Sequence, residues 1–207
     1  MTKYKYIGVD HCDFTRGRIY EVKDVTKEGL FRVKANDGQA LCKSPSDFET
    51  LNPKVETHME ICDLICKRGV VNKTLDQKIL VFYKELKKAK AVGSYDDIKN
   101  ALLLIADCCI DNLCNSSESK FDICKKMTDL YERKNHDYGD SFAQMREEYD
   151  NAILVRIFDK YSRLKTLLSA SETKVKDESI KDTIFDLANY CVMELVEIQL
   201  EDEEGTF

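Results

Sequence analysis

The residues best placed to do chemistry lie near the C-terminus, in DESIKDTIFDLANYCVMELVEIQLED. At 100° per residue, Glu178, Asp182, Asp186 and Asn189 span about 80° of a helix, while Ile180, Ile184, Leu187, Cys191 and Leu195 gather on the other side. Like charges stacked at i, i+4 destabilise a helix by roughly 0.2–0.5 kcal/mol per pair, and no lysine within this helix stands at i±4 to relieve them. A solvated face is the plain explanation. A divalent cation, or a basic face on a neighbouring helix, would turn the repulsion into attraction, and Asp/Glu oxygens are what Mg²⁺ accepts.

A second stripe supplies the opposite sign. In AILVRIFDKYSRLKTLL, Arg156, Asp159, Lys160 and Arg163 share one strip at i, i+3, i+4 and i+7, with Ile153, Ile157, Phe158, Tyr161, Leu164 and Leu168 on the packing side. Intrahelical pairing of Asp159 with Arg156 and Arg163 accounts for the strip at a few tenths of a kcal/mol. The functional alternative gives Asp159 to a metal ion and Arg156, Lys160 and Arg163 to phosphate oxygens, for which Arg offers a planar fork and Lys a point charge. Third comes the junction YERKNHDYGDS, from Tyr131 to Ser141. It suits a helix end and a turn, because Gly139 tolerates positive φ and Asp140 or Ser141 can cap the next helix. The crowding of Lys134, Asn135, His136, Asp137 and Tyr138 also has the makeup of a polar ligand pocket.

These segments need a scaffold, and the chain divides into two kinds of sequence. Both prolines, Pro45 and Pro53, and four of eight glycines fall in residues 1–53. There, short alternating runs (YKYIGV, RIYEVKDV, LFRVKA, QALCK) are separated by turns such as Asn36-Asp37-Gly38, which predicts a meander of three to five strands. So small a sheet must curl up to bury a core, and an SH3-like β-barrel module is expected, filled by Tyr4, Tyr6, Phe14, Tyr20, Phe31 and Phe48. Residues 54–207 contain no proline and read as an all-α helical bundle, making the chain mainly α. Gly69 closes a helix begun near Thr57. Thr74-Leu-Asp-Gln77 caps the next, which Gly93 ends, and Ser94 opens a third. Helices follow over about 119–133, within 141–168, and over about 177–201. Residues 169–176 form a polar loop, and the acidic tail EDEEGTF is frayed and solubilising.

A net charge of −6, from 38 acidic and 32 basic residues, argues against a protein that grips duplex nucleic acid. No run is long enough to span a membrane and the start lacks a signal peptide, so a cytoplasmic protein is expected. Nine cysteines without a C-x-x-C pair, beside three histidines, read as reduced core residues, with no zinc expected.

YERKNHDYGDSF, LVRIFDKYSRLKTLL and VKDESIKDTIFDLANY, in that order, resemble the nucleotide modification associated domain 1 family of phages and bacteria over about residues 120–200. The resemblance implies an all-helical domain tied to nucleotide metabolism and DNA-base modification, with a polar core similar to the MazG-type nucleoside triphosphate pyrophosphohydrolases. Such enzymes hold Mg²⁺ on E-x-x-E and E-x-x-D elements. This sequence departs from that pattern: Glu147, Glu148 and Asp150 are weak stand-ins for the first element, and the second is spaced Glu178-x-x-x-Asp182-x-x-x-Asp186. Glu194-x-x-Glu197 fits E-x-x-E but is expected on a surface face.

The expectation is therefore a Mg²⁺- (or Mn²⁺-) dependent nucleotide pyrophosphohydrolase-like protein acting on (deoxy)nucleoside triphosphates or modified nucleotides, encoded by a phage and working in the host cytoplasm. Glu178, Asp182, Asp186 and Asp159 hold the metal; Arg156, Lys160, Arg163 and Lys134 hold the phosphates. Asn135, His136, Asp137, Tyr138 and Asn189 read base or sugar. The alternative is a non-catalytic binder that sequesters a nucleotide signal in phage counter-defence, and a third is an adaptor recruiting a partner through the barrel. A homodimer or larger assembly is expected to complete the site.

Overall fold

The computed structural model describes residues 2–10, 12–68, 75–169 and 180–205. The chain falls into two compact units, Met1–Glu56 and Thr57–Phe207.

In the first unit, five antiparallel strands, β1 (Thr2–Tyr6), β2 (Ile19–Val25), β3 (Phe31–Lys34), β4 (Ala40–Lys43) and β5 (Phe48–Thr50), are ordered β4-β3-β2-β1-β5. Side-chain alternation sets the faces. In β2, Tyr20 and Val22 point inward while Glu21 and Lys23 point out. Tyr6, Phe14, Tyr20 and Phe48 are buried together with Val33, and Tyr4 and Phe31 pack against them. The Phe14 ring sits 5.2 Å from Tyr6 and 5.0 Å from Tyr20, contacts of the kind that let a small core bury area. The expected barrel does not close. A short 3₁₀ turn at Pro45–Asp47 carries the chain from β4 to the far edge, where the three residues of β5 pair with β1, so β4 and β5 remain the two edges of an open sheet.

The helices are α1 (Pro53–Cys66), α2 (Leu75–Val92), α3 (Tyr95–Leu113), α4 (Lys120–Tyr138), α5 (Ser141–Glu148), α6 (Ala152–Ser169) and α7 (Ile180–Glu204). The middle of the second unit is α3, packed between α2 and α7, with α6 on the other flank of α7. Ile79, Leu86, Leu102, Ile105, Ile110, Ile153, Ile157 and Leu187 are almost wholly buried. Gly93 takes φ +75° to end α2, as its missing side chain permits. Ser119 and Asp122 form a reciprocal capping box at the start of α4. Gly69, Thr74, Glu178 and, apart from Ser169, which ends α6, the residues 169–176 expected as a polar loop lie outside the described residues.

Three expectations are corrected. Helix α4 runs five residues past Arg133 to Tyr138, because Tyr131 is buried and holds the last turns in place. The acidic tail is helical to Glu204, with Glu201 paired to Arg146 and Asp202 to Lys99. Glu194 and Glu197, expected on the surface, are 0% and 8% exposed, because α7 is enclosed on more than one side. No described helix is long and apolar enough to cross a membrane.

Candidate functional site

The end of α4, α5, the start of α6 and the middle of α7 enclose a cavity of about 320 Å³. Helical spacing explains its lining. On α7, Asp186, Asn189, Tyr190 and Met193 follow one another at i, i+3, i+4 and i+7, a single face. On α4, Tyr131, Lys134 and Asn135 do the same at i, i+3 and i+4. Gly139, at φ +65°, breaks α4, and the Asp140 side chain accepts from the Ala143 N–H at 3.2 Å. The chain thereby turns at once into α5, whose Phe142 and Met145 form the cavity wall.

The site is aromatic on one side. Phe142 and Tyr190 stack with centroids 6.4 Å apart at 27°, and the Arg156 guanidinium lies 5.8 Å from the Tyr190 ring centroid. An Arg156 Nη2–H also points at Met145 Sδ, 3.6 Å away. The polar floor comes from Asn189, nearly buried, and from Asn135, whose buried Nδ2 has no hydrogen-bond partner among the described residues. Behind the cavity, Tyr131 stacks on His58 at 4.7 Å and 19°. His58 is fully buried. Thr128 Oγ1 donates to Cys124 O at 3.2 Å and so has only lone pairs left for His58 Nδ1, 3.1 Å away. Cys62 Sγ lies 3.7 Å from the same Nδ1, and Nε2 is buried without a hydrogen-bond partner among the described residues. Desolvation pushes the His58 pKa down to about 4.

Of the residues singled out in the sequence, Lys134, Asn135, Arg156, Asp186 and Asn189 come together around this one cavity. Lys160 reaches its edge through Asp186, to which it donates at 2.8 Å. The acidic stripe of α7 thus meets a basic group on the neighbouring helix, one of the two ways its repulsion could be relieved. The remaining candidates lie elsewhere. His136 and Asp137 are exposed and contact each other at 3.0 Å. Asp159 lines a different, open recess with Glu148 and Asp150. Glu147, Arg163 and Asp182 are exposed. Tyr138 ends α4, and Glu178 is outside the described residues. Among the described residues, no three His, Cys, Asp or Glu side chains converge to hold a metal ion.

Sequence reasoning passed over Phe142, Met145 and Tyr190. Tyr190 carried a signal, since it stands four residues after Asp186 on the face already under discussion.

Residues 134–198 match the nucleotide modification associated domain 1 family. No curated protein and no solved structure matches the chain. The stretch matching the nucleotide modification associated domain begins at Lys134 and ends five residues beyond Met193, so it contains every cavity residue except Leu130 and Tyr131.

Proposed function

We propose that the helical unit binds a nucleotide in the cavity between α4, α5, α6 and α7, holding it without hydrolysing it. The observation that carries this reading is the combination in one cavity of a stacked aromatic wall, a buried amide donor with no hydrogen-bond partner among the described residues, and two exposed cations, Lys134 and Arg156, at its border. A flat base packs on the Phe142–Tyr190 wall, the Asn135 amide donates to a base or sugar acceptor, and the cations take phosphate oxygens. The family match supports the nucleotide class.

Sequestration stands ahead of hydrolysis because of the acids. Among the described residues Asp186 is the one carboxylate lining the cavity, and it is paired with Lys160. The described residues thus do not fit the acidic set that Mg²⁺ or Mn²⁺ takes.

Calorimetric titration with the four deoxynucleoside triphosphates tests the reading, with pyrophosphate assayed in parallel with and without Mg²⁺. Saturable binding is expected, with the ligand recovered intact. Asn135→Ala and Arg156→Ala should each weaken it by about tenfold or more, the worth of a buried or charge-assisted hydrogen bond. Absence of binding by the wild-type protein and by its natively purified form in mass spectra would sink the nucleotide reading, and Mg²⁺-dependent pyrophosphate release would restore the hydrolase.

For the β unit the reading is an SH3-like module. Strand order β5-β1-β2-β3-β4 and the 3₁₀ turn before β5 support it. An adaptor role for that module is the third reading of the protein.

A further inference from the structure

We propose that Arg146 is a positioning residue that clamps α5 to α7 and thereby holds Phe142 and Met145 in place as the wall of the ligand cavity. The inference rests on the nucleotide reading for the ligand, and on geometry alone for the clamp. Helix α5 has eight residues and buries only Phe142, and an isolated helix of that length is not stable in water. Something outside it must fix its position. Phe142 and Met145, at i and i+3, line the ligand cavity, whereas Arg146 lines a second space of about 720 Å³ to which α2, α3, α5, α6 and α7 all contribute.

In that second space Arg146 makes three bonds to α7. Nε donates to Glu194 Oε2 at 2.9 Å, Nη1 to Glu201 Oε1 at 2.5 Å and Nη2 to Glu201 Oε2 at 3.1 Å. The last two form the planar fork that a lysine cannot reproduce. A single cation from α2 secures the far end of the segment: Lys90 Nζ donates to Asp150 O at 3.1 Å and lies 3.9 Å from the other oxygen of Glu194. The buried Glu194 carboxylate thus anchors both cations. At the near end the chain passes through Gly139, whose positive φ is a conformation that L side chains rarely adopt. Arg146 does not line the ligand cavity, so its influence on binding passes through the position of α5. When only a fraction of molecules has α5 docked, apparent affinity falls by that fraction.

The test uses the full-length protein as wild type, Glu201→Gln, Arg146→Lys and Arg146→Ala. Glu201 is half exposed, so its neutral amide leaves no buried charge stranded and Glu201→Gln keeps the protein folded for measurement. Hydrogen exchange without ligand is followed over residues 141–148, and the four deoxynucleoside triphosphates are titrated calorimetrically. Exchange across α5 should rise about tenfold in Glu201→Gln while the central helices α3 and α7 keep their protection, and nucleotide affinity should fall by a similar factor. Arg146→Lys should fall between wild type and Arg146→Ala in both readouts. Unchanged α5 exchange in Glu201→Gln and Arg146→Lys would overturn the clamp, as would faster exchange with undiminished nucleotide affinity. A wild-type protein that binds no nucleotide, with α5 loosened in Glu201→Gln, would overturn the nucleotide reading and leave the clamp standing.

Discussion

Arg146→Ala should lower the free energy of unfolding by about 3–5 kcal/mol, the range for breaking a buried ion pair from one side. Glu194 is 0% exposed, so the variant leaves a carboxylate in the interior with Lys90, 3.9 Å from one oxygen, as its one remaining cation among the described residues. Burial already pushes the Glu194 carboxyl above its usual range, against the pull of Arg146 and Lys90. Removing Arg146 pushes it further. Two consequences follow for urea denaturation of the variants. Adding Glu194→Gln to Arg146→Ala should recover more than half of the loss, because a neutral amide is far cheaper to bury than a charge. The deficit of Arg146→Ala should also shrink in mildly acidic buffer, where Glu194 takes up a proton. Simple additivity of the two substitutions would show that the stranded charge is not the cause.

The second large effect is a pH dependence centred on His58. Its folded-state pKa of about 4 lies below the 6.5 of an exposed imidazole. Between those values the unfolded chain takes up a proton that the native state refuses. The His58 contribution is therefore complete above about pH 6.5 and is lost as pH falls towards 4, amounting to about 3 kcal/mol at 1.36 kcal/mol per unit. The structural cause is burial: Nε2 has no hydrogen-bond partner among the described residues, so the doubly protonated ring would hold an N–H⁺ with no acceptor. His58→Phe keeps a ring against Tyr131 and cannot titrate, so its stability should vary less between pH 7 and 4.5 than that of the wild type. Parallel curves for the two proteins would assign the acid sensitivity to other groups.

Much of this was legible locally. The helix start at Ser94, the turn at Gly93, the break at Gly139 and the alternation of β2 are all written in neighbouring residues, because short-range sterics and hydrogen bonds decide them. Helical periodicity also placed Asp186 and Asn189 on one face, which the cavity uses. Tertiary pairing was not legible. Lys160 and Asp186 are 26 residues apart, and Arg146 and Glu194 are 48 apart, separations over which periodicity carries no information. Glu194 was misread for the same reason. A helix buried on several sides has no single apolar face, so a buried acid looks like a surface one until its cation is known. The barrel failed on a different point, since strand patterns fix faces but not which edges meet.

The distribution of the thiols also gives the protein a built-in chemical tag. Among nine free cysteines, Cys12 and Cys42 are exposed, and both belong to the β unit. In the helical unit, Cys62, Cys108, Cys109, Cys124 and Cys191 are buried, and burial pushes the half-buried Cys66 and Cys114 thiols up, Cys66 to about 12, away from the thiolate form that alkylates. A brief maleimide treatment of the native protein at neutral pH should add two labels, both on peptides from the first 56 residues. A dye placed this way would report on whatever the β unit meets, while leaving the ligand cavity chemically untouched and requiring no engineered cysteine.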